Sequence, residues 1–141
     1  MKEDIVKLLH EGAHSLVISS RNEVRKFDGR GVSDLRRLLK EEPDMLKGAS
    51  IADKVVGKAA AALMILGGVD ELHADVISCQ ALALLAQTTM KTTFDKEVPH
   101  IINRANTGWC PMETCCKDCQ TAEECLAAID GFIALKRQQK A

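Results

Sequence analysis

The sequence is poor in aromatic residues and has no excess of positive charge. Aromatic residues make up 3% of the 141 residues, and 19 Lys and Arg residues are balanced by 20 Asp and Glu residues, which gives a formal net charge of -1. Nucleic-acid binding relies on basic side chains that neutralise phosphates and on aromatic rings that stack on bases. The composition therefore disfavours general nucleic-acid binding, and we expect no nucleic-acid partner.

Long apolar runs are also missing. The longest one extends from Ala59 to Leu66, which is too short to span a bilayer. The amino terminus from Met1 to Val6 is charged and lacks the apolar core of a secretory signal. We therefore expect a cytoplasmic protein with no membrane partner. In that reducing compartment the six cysteines are expected to be free thiols, metal ligands or redox groups.

What is present is the composition of an ordinary globular chain. Hydrophobic residues make up 46% of the sequence and charged residues 28%. The length suits one domain that buries a real core. We predict a single α/β domain over residues 1–141, with a Cys-rich segment at residues 110–125 and a final helix from about residue 121.

The spacing of apolar residues in the first third of the chain predicts helices around a hairpin. An amphipathic helix is predicted over residues 3–10, followed by a β-hairpin formed by residues 14–19 and 23–27. Ser33 is the predicted N-cap of a second helix, which ends before Pro43. This order places a two-stranded antiparallel unit ahead of the centre of the chain.

The centre of the chain alternates between strands and helices. Residues 48–95 are predicted to form strand, helix, strand, helix and strand, with Ser78 as the N-cap of the second helix. Such alternation requires parallel strands with right-handed crossovers. Near the carboxyl terminus, Thr121 and Glu124 have the spacing of a capping box and predict the start of the final helix.

The first strand-to-helix junction suggests an anion site. Asp53 is the natural N-cap of the apolar helix that follows, which places Lys54 and Lys58 on one face of its first turns. The positive helix pole disfavours a cation by about 0.3 to 1 kcal/mol. A functional explanation is an anion held at the helix start, beside the carboxyl end of the strand. The alternative is that both ammonium groups extend into water.

A second candidate for anion binding precedes the second predicted helix. Two glycines flank Arg30 in the sequence Gly29-Arg30-Gly31. Glycine allows the backbone to approach a ligand closely, and an arginine there can pair in bidentate fashion with a phosphate or carboxylate. The alternative is a flexible loop with a solvated arginine.

Three ordered motifs resemble domain of unknown function family 1893, a prokaryotic family with a cytidine-deaminase-like fold. The motifs are Gly29-Arg30-Gly31-Val32, the stretch from Ala52 to Ala60, and Asn103-Arg104 followed by Thr107-Gly108 and Cys110-Pro111-Met112-Glu113. The resemblance implies a three-layer α/β fold. Its mixed sheet would combine the N-terminal hairpin with parallel strands and carry helices on both faces.

The zinc signature of deaminases is missing from the matching positions. Those enzymes carry H-x-E at the start of one helix and P-C-x-x-C at the start of the next. Here Gly29-Arg30-Gly31 and the residues from Asp53 to Gly57 occupy these places. His73-Ala74-Asp75 and Cys116-Lys117-Asp118-Cys119 look superficially similar, but His73 lies within a predicted strand and too many elements separate the two motifs. The resemblance therefore implies a deaminase-like cleft without that zinc ion.

The first functional hypothesis is a pocket for a small anionic or nucleotide-like ligand, with or without catalysis. Asp53 with Lys54 or Lys58 would transfer protons, while Arg30 and helix amides would hold the negative group. The resemblance adds Asn103 and Arg104 at the cleft. The catalytic candidates are Asp53, Lys54 and Lys58, and the ligand-binding candidates are Arg30, Gly31, Lys54, Lys58, Asn103 and Arg104.

The second hypothesis is a metal-binding or redox module at the C-terminal cysteines. The candidate ligands are Cys110, Cys115, Cys116, Cys119 and Cys125. The C-x-x-C formed by Cys116 and Cys119 suits zinc or an iron–sulfur cluster, although the full spacing matches no finger or ferredoxin signature. A reactive cluster without metal is the alternative, and thiolates near the start of the final helix would be stabilised by its dipole.

Other readings concern single residues and the whole chain. Cys110 and Glu113 share a loop and can act as ligand and base, or as nucleophile and acid. Cys79, beside Ser78, is interpreted as a small buried hydrophobe rather than a nucleophile. A third functional class is a non-catalytic binding or regulatory subunit, with which homodimerisation is compatible.

Overall fold

The computed structural model describes residues 2–12, 14–20, 23–28, 31–99, 101 and 111–140. Within them lie five strands, six α helices and one short 3-10 helix over Pro43–Met45. The helices and strands are α1 (Lys2–Glu11), β1 (Leu16–Ser20), β2 (Glu23–Phe27), α2 (Gly31–Glu41), β3 (Ser50–Val56), α3 (Lys58–Gly67), β4 (Glu71–Ser78), α4 (Cys79–Leu85), β5 (Lys91–Val98), α5 (Pro111–Cys115) and α6 (Ala122–Lys140).

All five strands form one mixed sheet in the order β2-β1-β3-β4-β5. β1 pairs antiparallel with β2 and β3, whereas β3, β4 and β5 are parallel. The predicted hairpin and the predicted alternation of strands and helices are therefore confirmed. The chain has an α/β fold with a mixed sheet.

Several predicted helix ends are confirmed, and one is wrong. The Ser78 hydroxyl accepts a hydrogen bond from the backbone N–H of Ala81, and Thr121 and Glu124 bond each other's backbone N–H groups as a capping box. α2 begins at Gly31, so Ser33 lies inside its first turn and does not cap it. The cause is that helical geometry already starts at the glycine.

Hydrophobic residues cover both faces of the sheet. Ile5 and Leu9 of α1 pack with Val17 and Ala52 on one face. The neighbouring strand residues Leu16, Ile18 and Ile51 belong to a larger core that also contains residues of α2, α3, α4 and α6. Since successive residues of a strand point to opposite faces, α1 covers one face and the larger core covers the other.

α3 lies at the centre of the larger core. It contacts α2, α4 and α6, and most of its residues are buried, which explains why its sequence is apolar nearly all round. Gly68 ends the helix with φ of 78°, a left-handed conformation that glycine adopts without strain. In the described part of the chain, no helix has both the length and the hydropathy needed to cross a membrane.

Candidate functional site

The carboxyl ends of β3 and β4 meet the amino termini of α3 and α4 at one edge of the sheet. Gly57 is the N-cap of α3, directly after β3 ends, and Ser78 is both the last residue of β4 and the N-cap of α4. Open α/β sheets bind their ligands at such an edge. This edge is therefore where a ligand site is expected.

The prediction that Asp53 caps α3 is wrong. β3 continues past Asp53 to Val56, because Val55 and Val56 extend the parallel pairing with β4. β-Branched residues favour this extended backbone. The N-cap is Gly57, which has no side chain to cap the helix, and Asp53 lies within the strand.

The prediction that Lys54 and Lys58 lie on one helix face is therefore also wrong. Lys54 is half-buried in β3, whereas Lys58 is the buried first residue of α3. The Lys58 ammonium donates hydrogen bonds to the carbonyl oxygens of Lys117, at 3.2 Å, and of Cys119. These contacts offset the unfavourable position of a cation at a helix amino terminus. Lys58 thus ties α3 to the segment between α5 and α6.

The anion at the start of α3 is a carboxylate of the chain itself. Glu113 of α5 is only 1% exposed, and its Oε1 accepts hydrogen bonds from the backbone N–H of Lys58 at 2.9 Å and from the Ser78 hydroxyl at 3.3 Å. Its Oε2 accepts a hydrogen bond from the backbone N–H of Ile101 at 2.9 Å. A carboxylate is favoured at a helix amino terminus, so Glu113 takes the place where an external anion was expected.

The close approach of Glu113 depends on Gly57. A Cβ atom at position 57 would lie 3.3 Å from Glu113 Oε2 and 3.2 Å from Ile101 Cγ1, so a side chain there would push these two neighbours slightly away. Sequence reasoning considered Glu113 as a base or an acid beside Cys110 and missed this capping role. The available signal was its place in the Cys110-Pro111-Met112-Glu113 motif.

Asp53 is the second buried carboxyl group near this edge. It is 4% exposed and pairs across the sheet with Leu16 of β1 and Ala74 of β4. Both neighbours belong to the larger core, so Asp53 lies on the face covered by α2, α3 and α4. Its Oδ1 accepts a hydrogen bond from the backbone N–H of Val55 at 3.3 Å, but no donor of the described residues reaches its Oδ2.

The environment of Asp53 changes its ionisation. Burial raises the pKa of Asp53 to about 7, with a smaller contribution from the negative charge of Asp75, while the backbone N–H groups of Val55 and Lys54 oppose the shift. The carboxyl group therefore exchanges its proton near neutral pH. It can donate a hydrogen bond in one state and only accept in the other.

The strand that leads to α2 ends level with Asp53 in the sheet. Leu16 pairs with Asp53 on one side and with Phe27, the last residue of β2, on the other. α2 begins shortly after Phe27, at Gly31. The predicted ligand contacts Arg30, Asn103 and Arg104 lie outside the described residues, so their positions relative to Asp53 stay predictions.

Four of the five predicted cysteine ligands lie in the described region. Cys116 and Cys125 are buried in the larger core, and Cys115 and Cys119 are half-buried beside it. Burial raises the pKa of the Cys115, Cys116 and Cys125 thiols. Across the described ranges, no three of these sulfur atoms lie close enough together to share one ion. Cys110 lies outside those ranges, so a metal site that includes it stays a prediction.

The interpretation of Cys79 as a buried hydrophobe is wrong. Its side chain is exposed, because it points towards β5 rather than into the core, and its Sγ donates a hydrogen bond to Glu97 Oε2 at 2.9 Å. This hydrogen bond, together with desolvation of the sulfur and the negative charge of Glu97, raises the pKa of the thiol. Cys79 is therefore not activated as a nucleophile.

Comparisons with known proteins agree on one family. The model of the family described as "Domain of unknown function (DUF1893)" matches residues 4–133. The crystal structure of a DUF1893 family protein from Thermotoga maritima is similar, with 26% sequence identity, a TM-score of 0.83, and coverage of 92% of this chain and 87% of that one. No curated protein matches the sequence. The match extends over most of the chain, and the protein therefore belongs to the DUF1893 family.

Proposed function

We propose that the protein binds a small anionic or nucleotide-like ligand near the edge where β3 ends and α2 begins, with Asp53 as a polar contact. The observation that carries this proposal is the buried Oδ2 atom of Asp53, which no donor of the described residues reaches. An unsatisfied buried polar group costs about 1 to 3 kcal/mol. A ligand that hydrogen-bonds to Oδ2 would offset this cost, and such groups are enriched at functional sites.

The order of elements supports the same edge of the sheet. We also propose that the fold is related to that of cytidine deaminases, because helix, hairpin, helix, strand, helix, strand, helix, strand is the order expected from the resemblance. In those enzymes zinc lies between the starts of two helices. Their counterparts here start at Gly31 and Lys58, neither of which is a zinc ligand. The proposal is therefore ligand binding rather than zinc-dependent deamination.

The positions of Lys54 and Lys58 reduce the number of residues that we propose as ligand contacts. Lys58 is left out, because its ammonium group already bonds two carbonyl oxygens of the chain. Lys54 follows Asp53 in β3, and since strand residues alternate between faces, we expect its side chain on the opposite side. Arg30, Asn103 and Arg104 are then the proposed partners of the negative group.

We propose that Asp53 forms a hydrogen bond with an uncharged polar group of such a ligand. Below its pKa of about 7 it can donate a hydrogen bond to a ring nitrogen or carbonyl oxygen, and above this value it can accept one. A proton that exchanges near neutral pH is also what general acid–base catalysis requires. If the protein is an enzyme, we propose that Asp53 transfers the proton.

A ligand screen with one matched pair of variants tests the proposal. The full chain would be screened by thermal shift against nucleotides and sugar phosphates, and hits would be measured by calorimetry with the wild type, Asp53→Leu and Asp70→Leu, because leucine neither donates nor accepts a hydrogen bond. Asp70 is exposed and precedes β4, at the opposite end of the parallel strands. The same chemical change is therefore made at a distant position.

We expect a hit whose affinity falls at least tenfold in Asp53→Leu and is unchanged in Asp70→Leu. Loss of a hydrogen bond to a buried group costs about 1.4 kcal/mol or more, which corresponds to that factor. The proposal is overturned if no nucleotide or sugar phosphate binds, or if Asp53→Leu binds every hit as tightly as the wild type.

A further inference from the structure

We propose that the protein also binds a divalent transition-metal ion on the sheet face covered by α1, through His73, Asp75 and Asp95. Each of these side chains offers one ligand atom, and the three atoms all lie within 4.8 Å of one another. In the described part of the chain this is the one group of three potential metal ligands so arranged. It is a different place from the helix starts that correspond to the deaminase zinc position.

The pairing of β4 with β5 assembles this group. His73 and Asp75 are separated by one residue in β4, so their side chains lie on the same face of the sheet. β5 runs parallel with Ala74 beside Phe94, and this register brings Asp95 next to Asp75. The sequence motif His73-Ala74-Asp75 thus gains its third member from the neighbouring strand.

The cluster faces α1 rather than the larger core. His73 pairs laterally with Ala52, which packs against Ile5 and Leu9 of α1. His10 of α1 reaches the cluster, and its Nε2 lies 2.9 Å from both carboxylate oxygens of Asp75. Asp53 lies on the opposite face, so this metal site and the proposed ligand site are separate.

The distances within the cluster suit metal coordination better than hydrogen bonding. His73 Nε2 lies 3.6 Å from Asp95 Oδ1 and 3.9 Å from Asp75 Oδ1, which is too long for a good hydrogen bond. Two ligands that each lie about 2.0 to 2.2 Å from a tetrahedral ion are separated by about 3.3 to 3.6 Å. The distance of 3.6 Å from His73 to Asp95 is at the upper end of this range, and the distance of 3.9 Å to Asp75 lies slightly above it.

The ring of His73 is already oriented for this role. Its Nδ1 lies 2.8 Å from the Thr93 hydroxyl, which holds the ring with Nε2 towards the two carboxylates. A hydrogen bond to the second ring nitrogen is the usual support of a metal-binding histidine. His10 supports Asp75 in the same way from α1.

The charges around the cluster also favour a cation. Within the described residues, the ion pairs of Asp75 and Asp95 are with His10 and His73 alone, so neither carboxylate pairs with a lysine or an arginine. One imidazole and two carboxylates are ligands that suit zinc, cobalt or manganese. Three protein ligands leave a coordination position for water or a substrate oxygen. The Asp95 side chain is 63% exposed, which gives an ion access from solvent.

Cobalt titration of the full chain tests this site and separates it from the cysteines. The chain would be stripped with EDTA and titrated with Co²⁺, with calorimetry for affinity and absorption for ligand type. The variants are Asp95→Asn and His10→Asn. The matched control is Asp28→Asn, because Asp28 pairs with His14 at 2.6 Å and no third potential ligand among the described residues joins this pair.

We expect about one Co²⁺ per chain in the wild type, without an intense sulfur-to-cobalt charge-transfer band. Asp95→Asn should raise Kd by at least about a hundredfold and His10→Asn by about tenfold, with Asp28→Asn unchanged. Thermal unfolding without metal would show that each variant is folded.

Three results would overturn the proposal. The first is that the wild type takes up no cobalt, and the second is that Asp95→Asn and His10→Asn both bind it as tightly as the wild type does. A thiolate band that disappears in Cys116→Ser would assign the metal to the cysteines instead. None of these results bears on ligand binding at Asp53, which lies on the other face.

Discussion

Two carboxyl groups near the same edge of the sheet are almost equally buried, but they differ in how many hydrogen bonds they accept. Glu113 is 1% exposed, and its two oxygens accept hydrogen bonds from Lys58, Ser78 and Ile101. Asp53 is 4% exposed, and its Oδ2 meets no donor of the described residues. Burial alone therefore does not distinguish a structural carboxylate from a candidate functional one.

What distinguishes them is how their surroundings stabilise charge. Glu113 faces the start of α3 and the Ser78 hydroxyl, so its negative charge joins two helix starts to α5. Asp53 lies within a strand among apolar neighbours, and burial raises its pKa to about 7. A charge that is buried without partners costs far more than one that is hydrogen-bonded. We therefore regard Glu113 as part of the scaffold and Asp53 as part of a site.

The largest expected effect comes from removing the ionisation of Asp53. Its pKa is about 7 in the folded chain, against 3.8 as the ordinary value. Below about pH 4 both the folded and the unfolded chain hold the proton, so the pKa difference does not affect stability there. Between about pH 4 and 7 the unfolded chain loses the proton more readily, and stability falls as pH rises by on the order of 4 kcal/mol. Above about pH 7 this cost stays constant.

Urea unfolding between pH 4 and pH 8 measures this effect in the wild type and in Asp53→Asn. The variant cannot ionise at this position, so its free energy of unfolding should lack the fall and exceed that of the wild type at pH 8. Asp70→Asn should follow the wild-type profile, because Asp70 is exposed. Parallel profiles for the wild type and Asp53→Asn would mean that Asp53 ionises normally, and the contrast with Glu113 would be lost.

The sequence predicted the fold where local periodicity determines it. The hairpin, the parallel strands and the Ser78 cap follow from apolar spacing and capping residues close together in the chain. The end of β3 could not be predicted in this way, because Asp53 is a favourable N-cap residue and the local sequence therefore indicates a helix start there. The pairing of Val55 and Val56 with β4 decides it, and that contact is not local.

The next largest effect is expected for Glu113→Gln, which tests the carboxylate that the comparison assigns to the scaffold. The amide keeps the shape of the side chain but replaces one acceptor oxygen by an NH2 group that faces a donor, either Lys58 N–H and Ser78 or Ile101 N–H. We expect the free energy of unfolding to fall by about 2 to 3 kcal/mol, because a buried donor loses its partner and a charge-assisted bond is lost.

Chemical denaturation at neutral pH measures this loss, and Glu123→Gln is the control. Glu123 is exposed near the start of α6, where the same substitution should change stability by less than about 0.5 kcal/mol. If Glu113→Gln were as stable as the wild type, its three hydrogen bonds would contribute nothing. Glu113 would then be an equal candidate for the functional group.

The candidate site was predicted only in part, and the reason is distance along the chain. Glu113 lies 55 residues from its partner Lys58, and the donors of Glu113 are backbone groups and a hydroxyl that carry no recognisable motif. Sequence reasoning therefore found the anion-binding helix start but looked for the anion outside the chain. In the same way, His73-Ala74-Asp75 could be noticed in the sequence, whereas His10 and Asp95 join it only through α1 and β5.

The smallest effect on stability is expected for Lys58, whose position in the structure differs most from the prediction. As a solvent-facing cation at a positive helix pole, its removal would leave stability unchanged or raise it slightly. In the structure its ammonium bonds the carbonyl oxygens of Lys117 and Cys119, next to the helix that carries Glu113. Lys58→Met keeps the apolar stem but leaves two carbonyl groups without this donor. We expect a loss of about 1 to 2 kcal/mol, since the removed desolvation cost of the ammonium offsets part of the lost bonding.

Lys54→Met is the matched control for Lys58→Met, measured by urea unfolding at neutral pH. Lys54 is half-buried in β3, four residues away, and the same substitution there should change stability by less than about 0.5 kcal/mol. A greater loss for Lys58 than for Lys54 would place Lys58 with Glu113 in the scaffold. Equal or increased stability in Lys58→Met would mean that the ammonium group of Lys58 is available to an external anion. Lys58 would then belong to the ligand site with Asp53 and not to the scaffold with Glu113.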